Sequence, residues 1–210
     1  LGIIKYEIPD SSQISFARVN NFPVFIPKTD EMRLQSAKRV LDELYDENAD
    51  DKFYYVSVKE DGSSATYYTK HNYKDEDIHF GVCSRNIESS EKDLKNVYWQ
   101  IADKLDLENK LKSFTINQGI EIAIQGEIGG PGMNGSGVFK NPMGYSEVEF
   151  KIFSIYDITN RKYLSFEQMK DVLNILKLTN NFVQVIEVSN KVRTLEEWIE
   201  FATTIKYPVS

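Results

Sequence analysis

The sequence predicts an α+β domain in which antiparallel β-sheets are flanked by helices. Segments rich in β-branched and aromatic residues follow one another as hairpins, which favours antiparallel pairing. Helical segments interrupt these hairpins without a regular β-α-β alternation, so a parallel doubly wound sheet is not expected. The length of 210 residues and the hydrophobic content of 41% suit one domain with a sizeable core.

Apolar residues recur at helical spacing in several segments. A candidate N-cap at Thr29 or Asp30 opens the first of them. A second apolar stripe runs from Leu94 to Leu105, and Ser165 can cap a later helix. The predicted helices cover residues 30–48, 91–105, 108–118, 165–176 and 195–204.

Alternating apolar and polar residues mark the strands. The predicted strands cover residues 53–58, 63–69, 79–84, 120–128, 147–158 and 182–188. A glycine-rich loop separates the fourth and fifth of these strands. Residues 1–20 are predicted to be a linker or a peripheral strand.

The composition excludes several classes of protein. A single cysteine, Cys83, cannot form an internal disulfide, and without a Cys/His cluster no structural zinc site is expected. No apolar run is long enough for a membrane span, so no membrane contact is expected, and the single cysteine fits a reducing, cytoplasmic compartment. The formal net charge of −7 argues against strong non-specific binding of nucleic acid by this chain alone.

The most informative motif is the tetrad from Lys59 to Gly62, Lys-Glu-Asp-Gly, which lies between two predicted strands. A lysine amine is a poor nucleophile while protonated, and neighbouring cations or desolvation favour loss of the proton. Lys59 is therefore a candidate to attack a nucleoside triphosphate and to hold the nucleotide covalently. The same pattern also occurs in ordinary hairpin turns, where Asp-Gly supplies positive φ angles. The tetrad alone leaves both interpretations open.

Four further segments stand in a fixed order around this tetrad. They are NFPVFIPKTDE (21–31), CSRN (83–86), QGEIGGPG (125–132) and FKIFSIYDI (150–158). Together the five segments resemble the nucleotidyltransferase domain of the nick-sealing RNA ligases, in particular the subgroup with an OB-type domain before the ligase domain. The resemblance covers about residues 20–165. It implies an ATP-grasp-like covalent nucleotidyltransferase (ligase adenylation) fold.

The resemblance also implies roles for individual residues. Lys59 would attack the α-phosphate of ATP, and Asp61 and Gly62 would contact the bound nucleotide. Arg85 would help to bind the 5′-phosphate strand or AMP, because a guanidinium binds phosphate through two hydrogen bonds. The alternative for Arg85 is an ordinary surface arginine.

Two more candidates lie on predicted strands. Glu127 would accept hydrogen bonds from the ribose hydroxyls, and Phe153 would stack on adenine. Without the resemblance, Glu127 is a solvated acid at a strand end and Phe153 is a core residue. Strict alternation puts Phe153 on the face of its strand that carries Ile155 and Asp157, and Phe150 on the opposite face.

The implied activity is that of an ATP-dependent RNA ligase. Lys59 takes AMP from ATP, AMP moves to the 5′-phosphate of a broken strand, and the neighbouring 3′-hydroxyl displaces it. The implied cofactors are ATP, with AMP held covalently, and Mg²⁺ or Mn²⁺. The implied partner is nicked duplex RNA or an RNA/DNA hybrid, as in RNA repair. We expect a monomer.

The resemblance also bears on the boundaries of the chain. Two family motifs, a glutamate-glycine strand and a lysine-containing strand, are expected near the end of the domain and are not found. We therefore expect residues 1–20 to be a linker from a missing N-terminal OB-type domain, and residues 21–210 to be a C-terminally incomplete nucleotidyltransferase domain. Two alternatives stay open: a DNA ligase or capping-type enzyme, and a non-catalytic nucleotide- or RNA-binding module on the same scaffold.

Overall fold

The computed structural model describes residues 16, 19–29, 36, 53–72, 77–133, 141–190 and 193–205. The helix predicted over residues 30–48 falls, apart from Ser36, outside the described residues. The chain divides into two compact units. Unit 1 comprises Leu1–Lys28 and Glu60–Val183, and unit 2 comprises Thr29–Lys59 and Gln184–Ser210. The chain therefore passes from unit 2 to unit 1 between Lys59 and Glu60.

Nine strands are seen in the described part of the chain. They are β1 (Val19–Asn21), β2 (Tyr54–Ser57), β3 (Ser63–Asn72), β4 (Asp77–Cys83), β5 (Ile87–Ser89), β6 (Ile122–Gly129), β7 (Glu149–Asp157), β8 (Lys162–Tyr163) and β9 (Val185–Ser189). Unit 1 contains a seven-stranded sheet of order β1-β5-β4-β3-β6-β7-β8, and neighbouring strands pair antiparallel. The predicted α+β class with antiparallel sheets is confirmed.

Four α-helices accompany the strands in the described residues. They are α1 (Val97–Lys104), α2 (Leu107–Gln118), α3 (Phe166–Ile175) and α4 (Leu195–Thr204). The predicted start of the first of these at residue 91 is wrong. The side chain of Asn96 accepts a hydrogen bond from the backbone N–H of Tyr98 and so caps the helix there. Leu94 precedes this cap and is 54% exposed, so it does not belong to the buried stripe.

The later helices begin where the sequence predicts. Ser165 and Gln168 form a capping box at the start of α3, in which each side chain bonds to the backbone of the other. Thr194 and Glu197 do the same for α4. No helix in the described part of the chain is long and apolar enough to cross a membrane.

One face of the seven-stranded sheet packs against α1 and α2, and we call it the helix-covered face. The Tyr67 hydroxyl donates to the Tyr98 carbonyl of α1 at 2.9 Å, and the hydroxyls of Thr69 and Thr115 lie 2.7 Å apart. Ten of the strand residues that share this face are at most 1% exposed: Ala65, Tyr67, Thr69, Val82, Ile122, Ile124, Ile128, Phe150, Ile152 and Ile155. Each large apolar side chain buried there contributes about 1.5–3 kcal/mol of transfer free energy.

The opposite face carries many more polar side chains, and we call it the polar face. Its strand residues include Ser64, Thr66, Tyr68, Lys70, His79, Cys83, Gln125, Glu127, Lys151, Ser154 and Tyr156. Phe22 and Ile26 pack on its middle, against Tyr68 and Cys83 among others. The Gln125 amide donates to the Pro27 carbonyl at 2.9 Å. The segment around residues 22–27 therefore crosses the middle of the polar face.

Unit 2 contains a two-stranded antiparallel sheet of β2 and β9, together with α4. The Arg193 guanidinium lies over the rings of Trp198 and Phe201, 4.7 and 4.4 Å from their centroids, and bonds to both carboxylate oxygens of Glu187. These contacts join the end of β9 to the start of α4.

Candidate active site

The tetrad that begins at Lys59 does not form a hairpin turn. Strand β2 pairs with β9, and β3 pairs with β4 and β6, so the strands on either side of the tetrad are not partners. Gly62 also does not adopt the positive φ angle that an Asp-Gly hairpin turn requires. The turn interpretation of the motif is therefore wrong.

Close approach of two backbones explains Gly62 instead. A Cβ atom on Gly62 would lie 2.2 Å from the carbonyl oxygen of Ile128, which real side chains do not allow. A Cβ atom on Gly129 would lie 3.6 Å from the carbonyl oxygen of Asp61. The segment after Lys59 is thus pressed against the C-terminal end of β6, next to Glu127.

Side-chain burial alternates along the tetrad. Lys59 and Asp61 are exposed, whereas Glu60 between them is buried. On the preceding side, the Val58 N–H donates to the Gln184 carbonyl at 2.9 Å, inside unit 2. Lys59 is thus the last residue of this segment of unit 2, and the next residue in the chain, Glu60, belongs to unit 1.

Glu127 lies on the polar face in one rung of paired residues. Ser64 of β3 pairs with Glu127 of β6, which in turn pairs with Lys151 of β7. All three side chains are half-buried, in contrast to the rung of Tyr67, Ile124 and Ile155 on the helix-covered face, which is fully buried. Glu127 therefore lies between Ser64 and Lys151 in the sheet, near the end of β6 that Gly62 contacts.

Phe153 is the extra residue of a β-bulge. Ile152 pairs with Gly126 and Ser154 pairs with Gln125, so Phe153 has no partner in the register. The prediction that Phe150 lies on the face opposite Ile155 is wrong, because the bulge interrupts the period-two alternation and both residues lie on the helix-covered face. Phe153 is half-buried. It follows Lys151 by two positions and precedes Ser154, whose hydroxyl donates to the Gln125 side chain of the polar face at 3.3 Å.

Arg85 is exposed in the turn between β4 and β5. The Ser84 N–H donates to the Ile87 carbonyl at 2.9 Å, which closes this turn. The neighbouring Asn86 side chain accepts a hydrogen bond from the Lys28 ammonium at 2.9 Å. The adjacent Cys83 is fully buried, and burial raises the pKa of its thiol far above the ordinary value, so this cysteine is not a nucleophile at neutral pH.

The candidate residues of unit 1 are brought to one end of the sheet. The start of β3, the end of β4, the end of β6 and the start of β7 lie side by side there, because neighbouring strands run antiparallel. Asp61, Gly62, Arg85 and Glu127 lie at or next to these strand ends, and Phe153 lies further along β7, in the bulge opposite Gly126 and Gln125. Carboxylates, an arginine and a closely packed glycine at one sheet end, with an aromatic ring on the adjoining part of β7, suit a ligand with phosphate, ribose and base.

Three residues of this region were not named from the sequence. The Tyr145 hydroxyl donates to Glu60 Oε2 at 2.7 Å, and the Lys151 ammonium lies 5.4 Å from the centroid of the Tyr145 ring. Burial raises the pKa of the Glu60 carboxyl, against the opposing effects of the Tyr145 hydrogen bond and the Lys151 charge. Tyr145 is separated from Glu60 by 85 positions, so no local pattern could have paired them.

No three His, Cys, Asp or Glu side chains within the described ranges are grouped closely enough to hold a metal ion. Carboxylate oxygens are nevertheless present at this end of the sheet, in Asp61 and Glu127. Mg²⁺ and Mn²⁺ favour oxygen ligands, and Mg²⁺ is commonly held by one or two carboxylates together with substrate phosphates and water. The residues present fit a divalent cation that arrives with the phosphates of a nucleotide.

Comparison with known proteins decides the family. A model of the RNA ligase family matches residues 52–207. This chain belongs to the RNA ligase family. The matched residues include the Lys59 tetrad, Arg85, Glu127 and Phe153. A search of curated protein sequences finds no significant match.

Solved structures of the Naegleria gruberi RNA ligase are similar to this chain. The form with PPi superposes with a TM-score of 0.75 and 29% identity, covering 95% of this chain and 54% of that one. A mutant with AMP and Mn gives a TM-score of 0.75 and 27% identity, covering 92% and 52%. A mutant with ATP and Mn gives a TM-score of 0.72 and 28% identity, covering 92% of this chain and 52% of that one. The predicted RNA ligase nucleotidyltransferase fold is confirmed, and the chain spans about half the length of these ligases.

Proposed function

We propose that this chain is the adenylating part of an ATP-dependent RNA ligase in which Lys59 is the nucleophile. The observation that carries the proposal is the packing of the tetrad. In a member of the RNA ligase family, the residues directly after Lys59 lie against the end of β6 that holds Glu127, instead of forming a hairpin turn.

In the first step the unprotonated Nζ of Lys59 attacks the α-phosphorus of ATP. A phosphorus–nitrogen bond forms, the bond from the α-phosphorus to the bridging oxygen breaks, and pyrophosphate leaves. Asp61 and Gly62 contact the nucleotide, Glu127 accepts hydrogen bonds from the ribose hydroxyls, and Phe153 stacks on adenine. Such a step depends mainly on positioning and on charge neutralisation.

Transfer to nucleic acid follows. A 5′-phosphate oxygen attacks the phosphorus of the lysine-bound AMP and frees the lysine. The 3′-hydroxyl of the neighbouring strand then attacks the activated 5′-phosphate, and AMP leaves as the nick is sealed. We propose that Arg85 binds the 5′-phosphate or AMP, and that the substrate is nicked duplex RNA or an RNA/DNA hybrid.

A divalent cation, Mg²⁺ or Mn²⁺, would neutralise charge on the phosphates, with Asp61 and Glu127 as the carboxylates that fit it or its water ligands. The net charge of −7 gives this chain little general attraction for nucleic acid. We therefore propose that the nick is bound with the help of a preceding OB-type domain.

Intact-mass measurement tests the first step directly. The full-length protein is weighed before and after incubation with ATP and a divalent cation, and the modified peptide is mapped. We expect a gain of one AMP on Lys59 that pyrophosphate reverses. The Lys59→Ala variant should lose the gain completely while keeping the thermal transition of the wild type.

A matched control is Lys162→Ala, which removes an exposed lysine from the edge strand β8. This variant should take up AMP as the wild type does. Adenylylation that persists in Lys59→Ala would overturn the mechanism. No gain of mass in the folded wild-type protein would favour a non-catalytic nucleotide- or RNA-binding module.

A further inference from the structure

The side chain of Glu60 is oriented differently from its neighbours in the tetrad. Lys59 and Asp61 are exposed, but Glu60 is only 9% exposed. Its Oε2 atom accepts the hydrogen bond from the Tyr145 hydroxyl at 2.7 Å. The residue that follows the candidate nucleophile is therefore attached to the loop that precedes β7.

Tyr145 is itself held firmly in that loop. The Asn141 side chain donates to the Tyr145 carbonyl at 2.8 Å and accepts from the Tyr145 N–H at 3.2 Å. Gly144 completes the turn with a φ of 68°, and its N–H donates to the Asn141 carbonyl at 3.0 Å. A Cβ atom on Gly129 would lie 3.4 Å from the Tyr145 ring, so the ring rests on the end of β6.

Gly62 provides a second point of attachment. Its backbone lies against the Ile128 carbonyl with no room for a side chain. The chain after Lys59 is thus fixed at two successive places, by the Glu60 carboxylate to Tyr145 and by the Gly62 backbone to β6. Both attachments are made inside unit 1.

The groups around Glu60 do not fully compensate the burial of its ionised carboxylate. The Lys151 ammonium attracts the Glu60 carboxylate, but it also pairs with Glu149 at 2.6 Å, and the Glu149 carboxylate repels that of Glu60. Burial is the largest influence, and the pKa of Glu60 is raised above its ordinary value. A raised pKa means that the ionised form costs folding stability at neutral pH, whereas a neutral glutamine of the same length would not.

We propose that Glu60 and Tyr145 are positioning residues that fix the backbone directly after Lys59 while the lysine accepts AMP. The inference rests on the proposed role of Lys59 as nucleophile. Displacement of a nucleophile by about 1 Å is enough to slow phosphoryl transfer, because the attack must be in line with the leaving group. A charge-assisted hydrogen bond holds the backbone more firmly than a neutral one.

The test uses three variants of the full-length protein: Tyr145→Phe, Glu60→Gln and the double variant. Single-turnover AMP transfer to the protein is followed over a range of ATP concentrations, and thermal unfolding is measured alongside. The control is Tyr163→Phe, which removes a hydroxyl from β8 and keeps a ring that packs on Tyr156. It should match the wild type.

We expect Tyr145→Phe and Glu60→Gln to slow AMP transfer at saturating ATP by about 10- to 100-fold, with the half-saturating ATP concentration little changed. The double variant should be no slower than the slower single variant, because both changes act on the same hydrogen bond: Tyr145→Phe removes its donor, and Glu60→Gln replaces its charged acceptor with a neutral amide oxygen. Glu60→Gln should melt at the temperature of the wild type or above it. The difference in melting temperature between Glu60→Gln and the wild type should grow as pH rises from acid to neutral, because only the wild type has a carboxyl at this position that ionises.

Two results would overturn the inference, and they are distinguishable. A wild-type protein that takes no AMP removes the proposed role of Lys59 and the inference with it. A wild type that takes AMP, with both single variants reacting at its rate, removes the inference alone. A loss of rate that appears only in proportion to a lowered melting temperature would assign the pair to stability instead. If Tyr145→Phe fails to fold, Glu60→Gln alone decides between these results.

Discussion

The two faces of the seven-stranded sheet are made by the same strands and differ in what they bury. On the helix-covered face, Tyr67, Ile124 and Phe150 are completely buried, and α1 and α2 supply the covering side chains. On the polar face, the rung of Ser64, Glu127 and Lys151 is half-buried.

This difference separates stability from chemistry within one sheet. Apolar burial contributes stability in proportion to the area removed from water, so the helix-covered face carries most of the folding free energy of the sheet. Half-buried charges on the polar face contribute little and can even cost stability. Substitutions on the first face should therefore change unfolding, and those at the end of the second should change reaction with ATP.

The largest expected effect belongs to Phe150→Ala on the helix-covered face. The Phe150 ring is fully buried, covers the position of Gly126, and packs edge-on against Tyr67 at 5.1 Å. Its removal should lower the free energy of unfolding by about 3–5 kcal/mol. Urea unfolding measures this loss. The AMP uptake of each folded molecule should stay near that of the wild type, and a selective loss of uptake would break the division between the faces.

The next largest effect is expected for Glu127→Gln on the polar face. An amide keeps the size of the side chain but weakens its bonds to the ribose hydroxyls, so ATP-dependent AMP uptake should fall by about 10- to 100-fold. Thermal unfolding should change little. Glu167→Gln removes a carboxylate from the exposed surface of α3 and serves as the control. Equal uptake by Glu127→Gln and wild type would show that Glu127 is only a solvated acid at a strand end.

Phe153→Leu should have a smaller effect, confined to binding. Loss of stacking on adenine should weaken ATP binding by about 5- to 10-fold. Because Phe153 is half-buried and lies in a bulge, the melting temperature should fall only slightly. Phe166→Leu is the matched control, since Phe166 is a half-buried phenylalanine on α3. A large drop in melting temperature with unchanged ATP binding would make Phe153 a core residue.

The sequence predicted the long elements of the fold well because their signals are local. Helix α3 is preceded by Ser165 with Gln168 three positions later, and β7 alternates over most of its length. Strands β5 and β8 have only three and two residues, too few for a pattern to be visible. Their pairing depends on neighbouring strands that the sequence does not show.

The candidate site was predictable where single residues carry the signal, and not where the register does. The resemblance to RNA ligases named Glu127 and Phe153, but the β-bulge at Phe153 follows from the pairing of β7 with β6. Glu60 was an unremarked residue between Lys59 and Asp61. Its hydrogen bond to Tyr145 joins positions 85 apart, and only the folded structure places them together.

The smallest effect concerns a second carboxylate on the polar side of the sheet, Glu88, whose electrostatics oppose those of Glu60. Burial would raise the pKa of Glu88, but hydrogen bonds from His79 at 3.1 Å and Tyr68 at 2.5 Å outweigh it, so the pKa is lowered. When the pKa of a carboxyl is lower in the folded state, its ionisation stabilises the fold at pH values above the unfolded-state pKa. This stabilisation is lost as the pH falls through the folded-state pKa. Glu60, with a raised pKa, has the opposite dependence.

Glu88→Gln should therefore cost about 1 kcal/mol of unfolding free energy at neutral pH, and the difference from wild type should vanish in acid. Urea titrations at neutral and acid pH measure it, with Glu167→Gln as the exposed control. AMP uptake should not change, because Glu88 is hydrogen-bonded to Tyr68, which lies four residues along β3 from Ser64, the partner of Glu127. A difference that grows in acid would contradict the assignment of Glu88 to stability, and a loss of AMP uptake would extend the reactive part of the polar face beyond its Glu127 end.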